Sequence, residues 1–404
     1  MRVEMSNTKR ILCLISVLLT SIAVMADLVL IPVIANLYGA FPDQVAVVNY
    51  IVSGPMLIIV GSSLLATLLL RKINKKAIVL AGGIIFSVGA VLGVALDNAI
   101  YMAIMRTLVG VGAGFLNVTA VSLIGDLYEN EVVRAKIMGY YNAALSFTAM
   151  AFSYFSGIIA EAINWQKTFT LYWSAIPMLL MLILFVPSIR PDTSEEQVKS
   201  SKKGFKEPLG WRYWTMAGSW FIMNILFGAT VLYYISPYIV ENGIGDAAFV
   251  GLATSVKQIV GFLICLGFGF IYAKLKKQTN LACCLIAALS LLYMIYMPTK
   301  FAAIVIGTIG GCAYKIAFSY AYSYGFLVVP SSRTDDAVAI TTAVYGIGTF
   351  ISTYFATWLL QVMKAEMFTQ TWIVSVVLFI LLAATEIIKN IKEKEHPQEI
   401  AQSA

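Results

Sequence analysis

The chain has 404 residues, of which 60% are hydrophobic and only 12% are charged, and its formal net charge is +7. A soluble globular domain carries about 25% charged residues, so this composition excludes an ordinary soluble protein. The basic surplus does not indicate nucleic acid as a partner, because most Lys and Arg lie in clusters between hydrophobic runs.

Hydrophobic runs follow one another along almost the whole chain. A transmembrane helix requires roughly 20 apolar residues, and twelve runs meet this requirement. The alternating pattern that is typical of strands in a membrane barrel is absent. The sequence therefore predicts an all-α membrane protein with twelve transmembrane helices. The runs lie near 11–37, 44–70, 77–96, 98–125, 137–160, 168–189, 212–240, 247–273, 279–297, 300–328, 336–362 and 367–388.

Basic residues cluster in alternate loops between these runs. Examples are RKINKK at 71–76, KSSKKGFK at 199–206 and KLKK at 274–277. Cytoplasmic loops carry the excess of Lys and Arg in membrane proteins. The pattern predicts a multi-pass protein of the plasma membrane with both termini in the cytoplasm.

The two halves of the chain are similar in plan. The longest polar stretch, 190–211, lies near the midpoint, and a basic turn follows the second run of each half. Parallel repeats of this kind occur in transporters whose two halves rock about a central site. We predict a six-helix bundle over 1–189, a cytoplasmic linker over 190–211, and a second six-helix bundle with a cytoplasmic tail over 212–404.

Two opposite charges in the first half are predicted to meet inside the membrane. Asp27 lies about ten residues below the outer end of the first run, and Arg106 about eight residues into the fourth, which places both roughly 12–15 Å deep. They could form a proton-switched pair or a fixed ion pair that orients the bundle. The helical face of Arg106 continues to Asn117, which we include among the candidate substrate-binding residues.

Two further cations lie within runs of the second half. Lys257 is in the eighth run and Lys315 in the tenth, with no acid at similar depth there. A charge at the bilayer centre costs roughly 2.5–3.5 kcal/mol, so an anionic substrate could supply the missing charge. Alternatively, each lysine is neutral or bonded to a carbonyl. Asn224, Tyr322 and Tyr345 complete the candidate substrate-binding set.

Three stretches of the sequence carry a family resemblance. The fourth run contains the pattern R-x-x-x-G-x-G-A, formed by Arg106, Gly110, Gly112 and Ala113. The loop after the second run reads TLLLRKINKK at 67–76, and the first run contains DLVLIP, with Asp27 and Pro32. With these motifs the chain resembles the major facilitator superfamily over nearly its whole length. The pattern in the fourth run matches a family motif, the loop matches the family's loop in part, and DLVLIP is similar to the first-helix signature of its drug:proton antiporter branch.

The resemblance implies a transporter with the major facilitator fold that acts on a small molecule. In the resembling branch the acid takes the proton and the arginine tunes its affinity for it. The branch motif G-P-x-x-G-G is not kept, because Phe152, Ser153, Ser156 and Gly157 stand in its place, which argues against a standard drug antiporter.

Three functions therefore stay open. The first is a transporter of organic anions, coupled to protons or to a counter-anion. The second is a proton-coupled multidrug exporter, and the third is a transporter-like receptor that moves nothing. No motif for an enzyme, a metal or another cofactor occurs, and the expected partners are a small-molecule substrate, protons and membrane lipid. We expect a monomer.

Overall fold

The computed structural model describes residues 7–70, 72–128, 130–188, 209–329 and 333–395. Every regular element within these ranges is helical, as predicted. Most of the predicted linker, both chain ends and Arg71 lie outside the described residues. The chain divides into two compact units, Met1–Thr193 with Asp246–Gln258, and Ser194–Gly245 with Ile259–Ala404.

The first unit contains eight α-helices and several short 3₁₀ segments among its described residues up to 188. They are α1 (Asn7–Leu19), α2 (Ser21–Val24), 3₁₀ segments at Ala26–Val29 and Ile31–Val33, α3 (Ile34–Ala40), a 3₁₀ segment at Pro42–Gln44, α4 (Val45–Leu70), α5 (Lys75–Val91), α6 (Ala99–Leu127), α7 (Glu131–Ala162), a 3₁₀ segment at Gln166–Ser174 and α8 (Ala175–Phe185).

The described residues from 209 onwards form eight further α-helices with two short π-helical segments. They are α9 (Trp211–Phe227), a π segment at Gly228–Leu232, α10 (Ile235–Glu241), α11 (Ala247–Leu266), α12 (Phe268–Leu275), a 3₁₀ segment at Lys276–Gln278, α13 (Thr279–Tyr296), a π segment at Ala302–Ile306, α14 (Gly307–Val328), α15 (Thr334–Met363) and α16 (Phe368–Glu395).

All twelve predicted runs form helices. Among the described residues, ten segments are long and apolar enough to cross a membrane, or up to eleven if the bent pair Thr8–Val24 and Ala26–Ala40 is one span. The bent pair is the first predicted run, and the ten are the second and the fourth to twelfth. The third run is α5, whose 17 residues lie at the lower limit of roughly 17 for a span.

The outward-facing side chains of these helices are large and apolar. Phe270, Leu184 and Leu289 are 85%, 68% and 66% exposed. This is the reverse of a soluble protein, in which large exposed apolar surfaces are uncommon. Lipid hydrocarbon is the solvent that such a surface requires.

Small residues let α6 approach its neighbours closely. A Cβ atom on Gly112 would lie 2.5 Å from the backbone nitrogen of Phe86 and 2.6 Å from the carbonyl oxygen of Gly82. A Cβ on Gly110 would lie 3.0 Å from the carbonyl oxygen of Pro55 in α4. The two glycines of the R-x-x-x-G-x-G-A motif therefore serve helix packing.

A second glycine contact explains how the chain divides. A Cβ on Gly157 in α7 would lie 2.5 Å from the carbonyl oxygen of Ala247 and 3.0 Å from the Cα atom of Gly251. Because this crossing is so close, Asp246–Gln258 groups with the first unit and not with the remainder of the predicted bundle 212–404. The predicted bundle boundaries stay a prediction.

Candidate functional site

The first transmembrane helix is interrupted around Asp27, and its two segments are inclined by 52°. Pro32 has no N–H and its ring crowds the carbonyl four residues earlier, so an α-helix cannot continue there without a break. The amides of Leu30 and Val33 instead bond to carbonyls three residues back, at 3.1 and 2.9 Å. This is the 3₁₀ pattern, and it leaves carbonyls without their usual helical donors.

Three of these carbonyls accept hydrogen bonds from hydroxyls of later segments. Tyr172 Oη donates to Ala26 O at 2.7 Å, Ser153 Oγ to Leu28 O at 3.3 Å, and Ser156 Oγ to Val29 O at 2.5 Å. Irregular backbone at membrane depth is tolerated only where protein groups satisfy it in this way. The two serines that replace the G-P-x-x-G-G motif thus support the interrupted segment that carries Asp27.

The structure brings Asp27 and Arg106 together in a buried ion pair. Their exposed fractions are 6% and 1%. One guanidinium nitrogen of Arg106 donates to Asp27 Oδ1, Nε donates to the carbonyl oxygen of Ile51 at 3.1 Å, and Nη1 donates to Tyr172 Oη at 3.4 Å. Asp27 Oδ2 is buried and has no hydrogen-bond partner among the described residues.

Tyr172 is the residue of this site that the sequence analysis misses. It is fully buried and bridges Arg106 to the carbonyl of Ala26, next to Asp27. The one signal in the sequence is its depth, because the sixth run begins at the same membrane surface as the fourth. Asn117, predicted from the face of Arg106, is half-buried in α6, and its side-chain amide makes no hydrogen bond with a described residue.

Lys315 lies in the middle of α14 and is half-buried. Its ammonium makes no hydrogen bond or ion pair with any described residue, whereas its backbone carbonyl accepts a bond from Ser319 Oγ at 3.1 Å. Its aliphatic stem lies against α11, where a Cβ on Gly261 would be 3.2 Å from Lys315 Cγ. The thiols of Cys265 and Cys312 are close enough to interact with it electrostatically.

Lys257 differs from Lys315 in its surroundings. It is 8% exposed, it interacts with another group of the chain, and it lies in the part of α11 that groups with the first unit. That both lysines belong to one bundle stays a prediction, although Asp246–Gln258 groups with the first unit. Position in the chain does not determine which unit the first half of α11 packs against.

Asn224 belongs to a buried aromatic cluster in the second unit. Its Nδ2 donates to the carbonyl oxygen of Trp220 at 2.7 Å, and its Oδ1 accepts from Tyr314 Oη at 3.1 Å. The Trp220 ring stacks with Tyr314 at 5.8 Å and with Tyr345 at 6.4 Å, measured between ring centroids. The Trp220 indole N–H is buried without a hydrogen-bond partner among the described residues.

The same cluster includes Tyr322. Its hydroxyl shares a hydrogen bond with Thr342 Oγ1 at 3.0 Å. The Phe318 ring contacts the rings of Tyr322 and Tyr345, with centroids 4.9 and 5.7 Å away. Three predicted residues, Asn224, Tyr322 and Tyr345, are thus brought together. Trp220 and Tyr314 connect them, and their role could not be read from a sequence that contains 21 tyrosines.

Among the described residues, Asp27 is not the only acid that is buried within a span. Glu386 in α16 is 2% exposed. The sequence does not indicate this burial, because Glu386 lies at the end of the last run, next to the charged sequence KNIKEKE. Within the described ranges, no three His, Cys, Asp or Glu side chains are grouped so that they could hold a metal ion.

Comparisons with known proteins agree on one family. The model of the Major Facilitator Superfamily matches residues 13–353. Sugar transport protein MST7 of Oryza sativa subsp. japonica is 32% identical over 149 residues, which are 35% of this chain and 27% of that relative. The match thus spans only about a quarter of the relative's length.

Two solved structures share the fold over nearly the whole chain. One is a bacterial homolog of the human lysosomal transporter Spinster, in an inward-facing and unoccupied conformation, with 15% identity and a TM-score of 0.75, covering 95% of this chain and 97% of that one. The other is a D-xylose–proton symporter with 14% identity and a TM-score of 0.72, covering 93% and 97%. At these identities the likeness concerns the fold alone.

Proposed function

Since this chain belongs to the Major Facilitator Superfamily, a family of multi-pass membrane transporters, we propose that it is a secondary active transporter of a small organic anion. It works by alternating access and is coupled to protons or to a counter-anion. Three features support this proposal: the ammonium of Lys315, the aromatic cluster around Asn224, and the Asp27–Arg106 pair.

The surroundings of Lys315 are the observation from which we infer that the substrate is an anion. Arg106 is neutralised by Asp27, whereas the Lys315 ammonium has neither an ion-pair nor a hydrogen-bond partner among the described residues. An ammonium that is largely removed from water and unpaired is costly. A carboxylate or another anionic group of the substrate supplies the missing charge.

Asp27 is the proposed proton carrier. Its Oδ2 has no hydrogen-bond partner among the described residues, so a proton can be added there without displacing the bond from Arg106 to Oδ1. Protonation removes the charge that attracts Arg106, while Ile51 and Tyr172 continue to hold the guanidinium. The segment around Asp27 is then less tightly held to α6.

A ligand screen with matched variants tests the substrate class. Thermal unfolding of the purified protein is followed with carboxylates, neutral sugars and lipophilic cations, for the wild type, Lys315→Gln and the exposed-site control Lys274→Gln. Carboxylates should stabilise the wild type and the control. Lys315→Gln should bind them roughly 10- to 150-fold more weakly, because a charge-assisted hydrogen bond is lost.

The native thiol of Cys312 offers a second measurement. Because it lies close to Lys315, a bound anion should slow its reaction with a thiol reagent in the wild type and not in Lys315→Gln. Stabilisation by sugars alone, equal in both proteins, would contradict the anion proposal and favour the substrate class that the name of the rice relative suggests.

A proton-coupled multidrug exporter is the second candidate. It is favoured by the buried Oδ2 of Asp27, which has no hydrogen-bond partner among the described residues and could meet a cationic drug. Binding of lipophilic cations only, improved by Lys315→Gln, would support it. Ligand binding without any flux in proteoliposomes would instead indicate a non-transporting receptor.

We also place the protein in the plasma membrane as a monomer with both termini in the cytoplasm, on the basis of the basic loops. Ser200→Cys, in a background without the five native cysteines, tests this orientation. A membrane-impermeant thiol reagent should label it only after permeabilisation. Labelling from outside intact cells would contradict the proposed orientation.

A further inference from the structure

One side of α14 carries the cation of the proposed substrate site together with aromatic rings. Lys315, Phe318 and Tyr322 follow one another at spacings of three and four residues, so their side chains project from the same side of the helix. All three are half-buried, as is Tyr345 of α15. We call these four residues the Lys315 face. Its rings bear on what the substrate carries besides its charge.

The Lys315 face is not the side of α14 that contacts lipid. An ammonium near the centre of a span is costly in hydrocarbon, so such a residue usually faces a cavity or a partner. The large apolar residues of α14 that are most exposed are Ile309 and Leu327, at 44% and 62%. At about 100° per residue, both lie roughly 120–180° around the helix from Lys315, Phe318 and Tyr322. The half-buried rings are therefore not lipid-facing residues.

Packing behind the Lys315 face holds its rings in place. The buried ring of Trp220 in α9 stacks on Tyr345, with 14° between the ring planes. Phe318 meets Tyr345 edge to face, with 86° between the planes, and also contacts Tyr322. Rings that are already fixed by their neighbours lose little conformational freedom when a ligand binds. The face is thus a preorganised aromatic surface beside a cation.

This composition suits an aromatic anion better than a sugar or an aliphatic acid. Ring faces are electronegative and ring edges electropositive, so an aromatic ligand gains affinity from aromatic neighbours beyond the area that it buries. A sugar would instead require several free donors and acceptors. Two hydroxyls near these rings already bond within the protein, that of Tyr322 with Thr342 Oγ1 and that of Ser319 with the carbonyl oxygen of Lys315.

We propose that the transported anion carries an aromatic ring, which binds against Phe318, Tyr322 and Tyr345 while its carboxylate binds Lys315. This inference rests on the proposed function and adds a second chemical group to the substrate. Phe318 and Tyr322 lie about 4.5 and 10.5 Å along the axis of α14 from Lys315. A short chain between the carboxylate and the ring therefore fits the Lys315 face.

Direct binding of a matched pair of ligands tests the inference. Phenylpropanoate and cyclohexylpropanoate have the same charge and the same number of carbon atoms, but only the first contains an aromatic ring. Isothermal titration calorimetry of the purified full-length protein should show roughly 2- to 12-fold tighter binding of phenylpropanoate. Because the cyclohexyl ring is the more hydrophobic of the two, apolar burial alone predicts the opposite order.

Variants separate the contribution of the rings from that of the charge. Tyr345→Leu should remove the preference for phenylpropanoate, whereas Tyr345→Phe keeps the ring and should keep the preference. Phe318→Leu gives the same measurement if Tyr345→Leu does not fold. Lys315→Gln should weaken both carboxylates by the same factor and leave their ratio unchanged. Tyr296→Leu, which changes a tyrosine of the second unit that is 74% exposed, is the control and should bind as the wild type does.

Failure of this inference can be distinguished from failure of the proposed function. Equal binding of the two carboxylates, or tighter binding of cyclohexylpropanoate, would overturn the aromatic inference and leave the anion proposal standing. A preference that survives both Tyr345→Leu and Phe318→Leu would also overturn it, because the ring would then bind elsewhere. If neither carboxylate binds, but phenylpropanamide binds more tightly than cyclohexylpropanamide, the anion proposal fails and the aromatic inference stands. If none of the four ligands binds, both fail.

Discussion

The two units differ in the partners of a cation that lies within a membrane-spanning helix. Arg106 in the first unit donates to a carboxylate, a backbone carbonyl and a tyrosine hydroxyl. The Lys315 ammonium in the second unit has no acceptor among the described residues. The two residues looked alike in sequence, as single cations in apolar runs. The charge of Arg106 is balanced within the protein by Asp27, whereas that of Lys315 can be balanced by a ligand.

The largest effect is expected from removing the proton site of the first unit. Asp27→Asn should abolish uphill accumulation of the anion in proteoliposomes but leave counterflow largely intact. The amide still accepts a hydrogen bond from Arg106, yet it cannot exchange a proton. Asp126→Asn, which changes an exposed carboxylate of the same unit, is the control and should accumulate normally. Accumulation by Asp27→Asn at the wild-type level would show that Asp27 does not carry the coupling proton.

The next largest effect should come from removing the cation of the pair. Arg106→Leu leaves the buried carboxylate of Asp27 unbalanced and should lower the free energy of unfolding by about 3–5 kcal/mol. The double variant Asp27→Leu/Arg106→Leu should recover most of this loss, because no charge is then left unpaired. Denaturant titrations in detergent micelles measure both. A double variant less stable than Arg106→Leu would contradict this explanation.

A smaller effect should follow from removing the hydroxyl of Tyr172. Tyr172→Phe leaves the carbonyl of Ala26 and one N–H of Arg106 without their partner, at a cost of about 1–3 kcal/mol in unfolding free energy. Tyr322→Phe is the matched change in the second unit, where the hydroxyl bonds to Thr342 and is only half-buried. Equal losses in the two variants would mean that the Tyr172 hydroxyl has no special role at the interrupted helix.

The smallest effect concerns an ion pair between the start of α5 and the end of α6. Lys75 Nζ lies 2.6 Å from Asp126 Oδ2, and their side chains are 15% and 29% exposed. Lys75→Ala should cost only about 0.2–1 kcal/mol. Molar salt should reduce this difference further, because exposed charges are screened. A loss as large as that of Arg106→Leu would show that burial does not govern these pairs.

Part of the candidate site could be predicted because the rise of a helix is constant. Asp27 and Arg106 were expected at the same depth from the lengths of their runs, and they lie in contact. Pro32 in DLVLIP also indicated a departure from regular helix. Composition and run lengths were sufficient for the all-helical fold, since each crossing requires a minimum number of apolar residues.

The remaining parts depend on how each helix is rotated and on which neighbour it packs against. Tyr172 has a partner because the 3₁₀ segment redirects the carbonyl of Ala26, which no periodicity of the sixth run reveals. Lys257 falls in the first unit because two glycines allow α7 and α11 to approach closely. Glu386 is buried by residues of other helices, which its charged neighbours in sequence do not reveal.

The interrupted first helix has a consequence for the order in which the protein assembles. The hydroxyls that bond to Leu28, Val29 and Ala26 are 125, 127 and 146 residues further along the chain. Within the hydrocarbon of the membrane, no water is present to donate to these three carbonyls in place of the hydroxyls. We therefore expect the first span to reach its final bend only after the sixth has been synthesised and inserted. A segment that is synthesised before the sixth span would then be among the last in the first unit to mature.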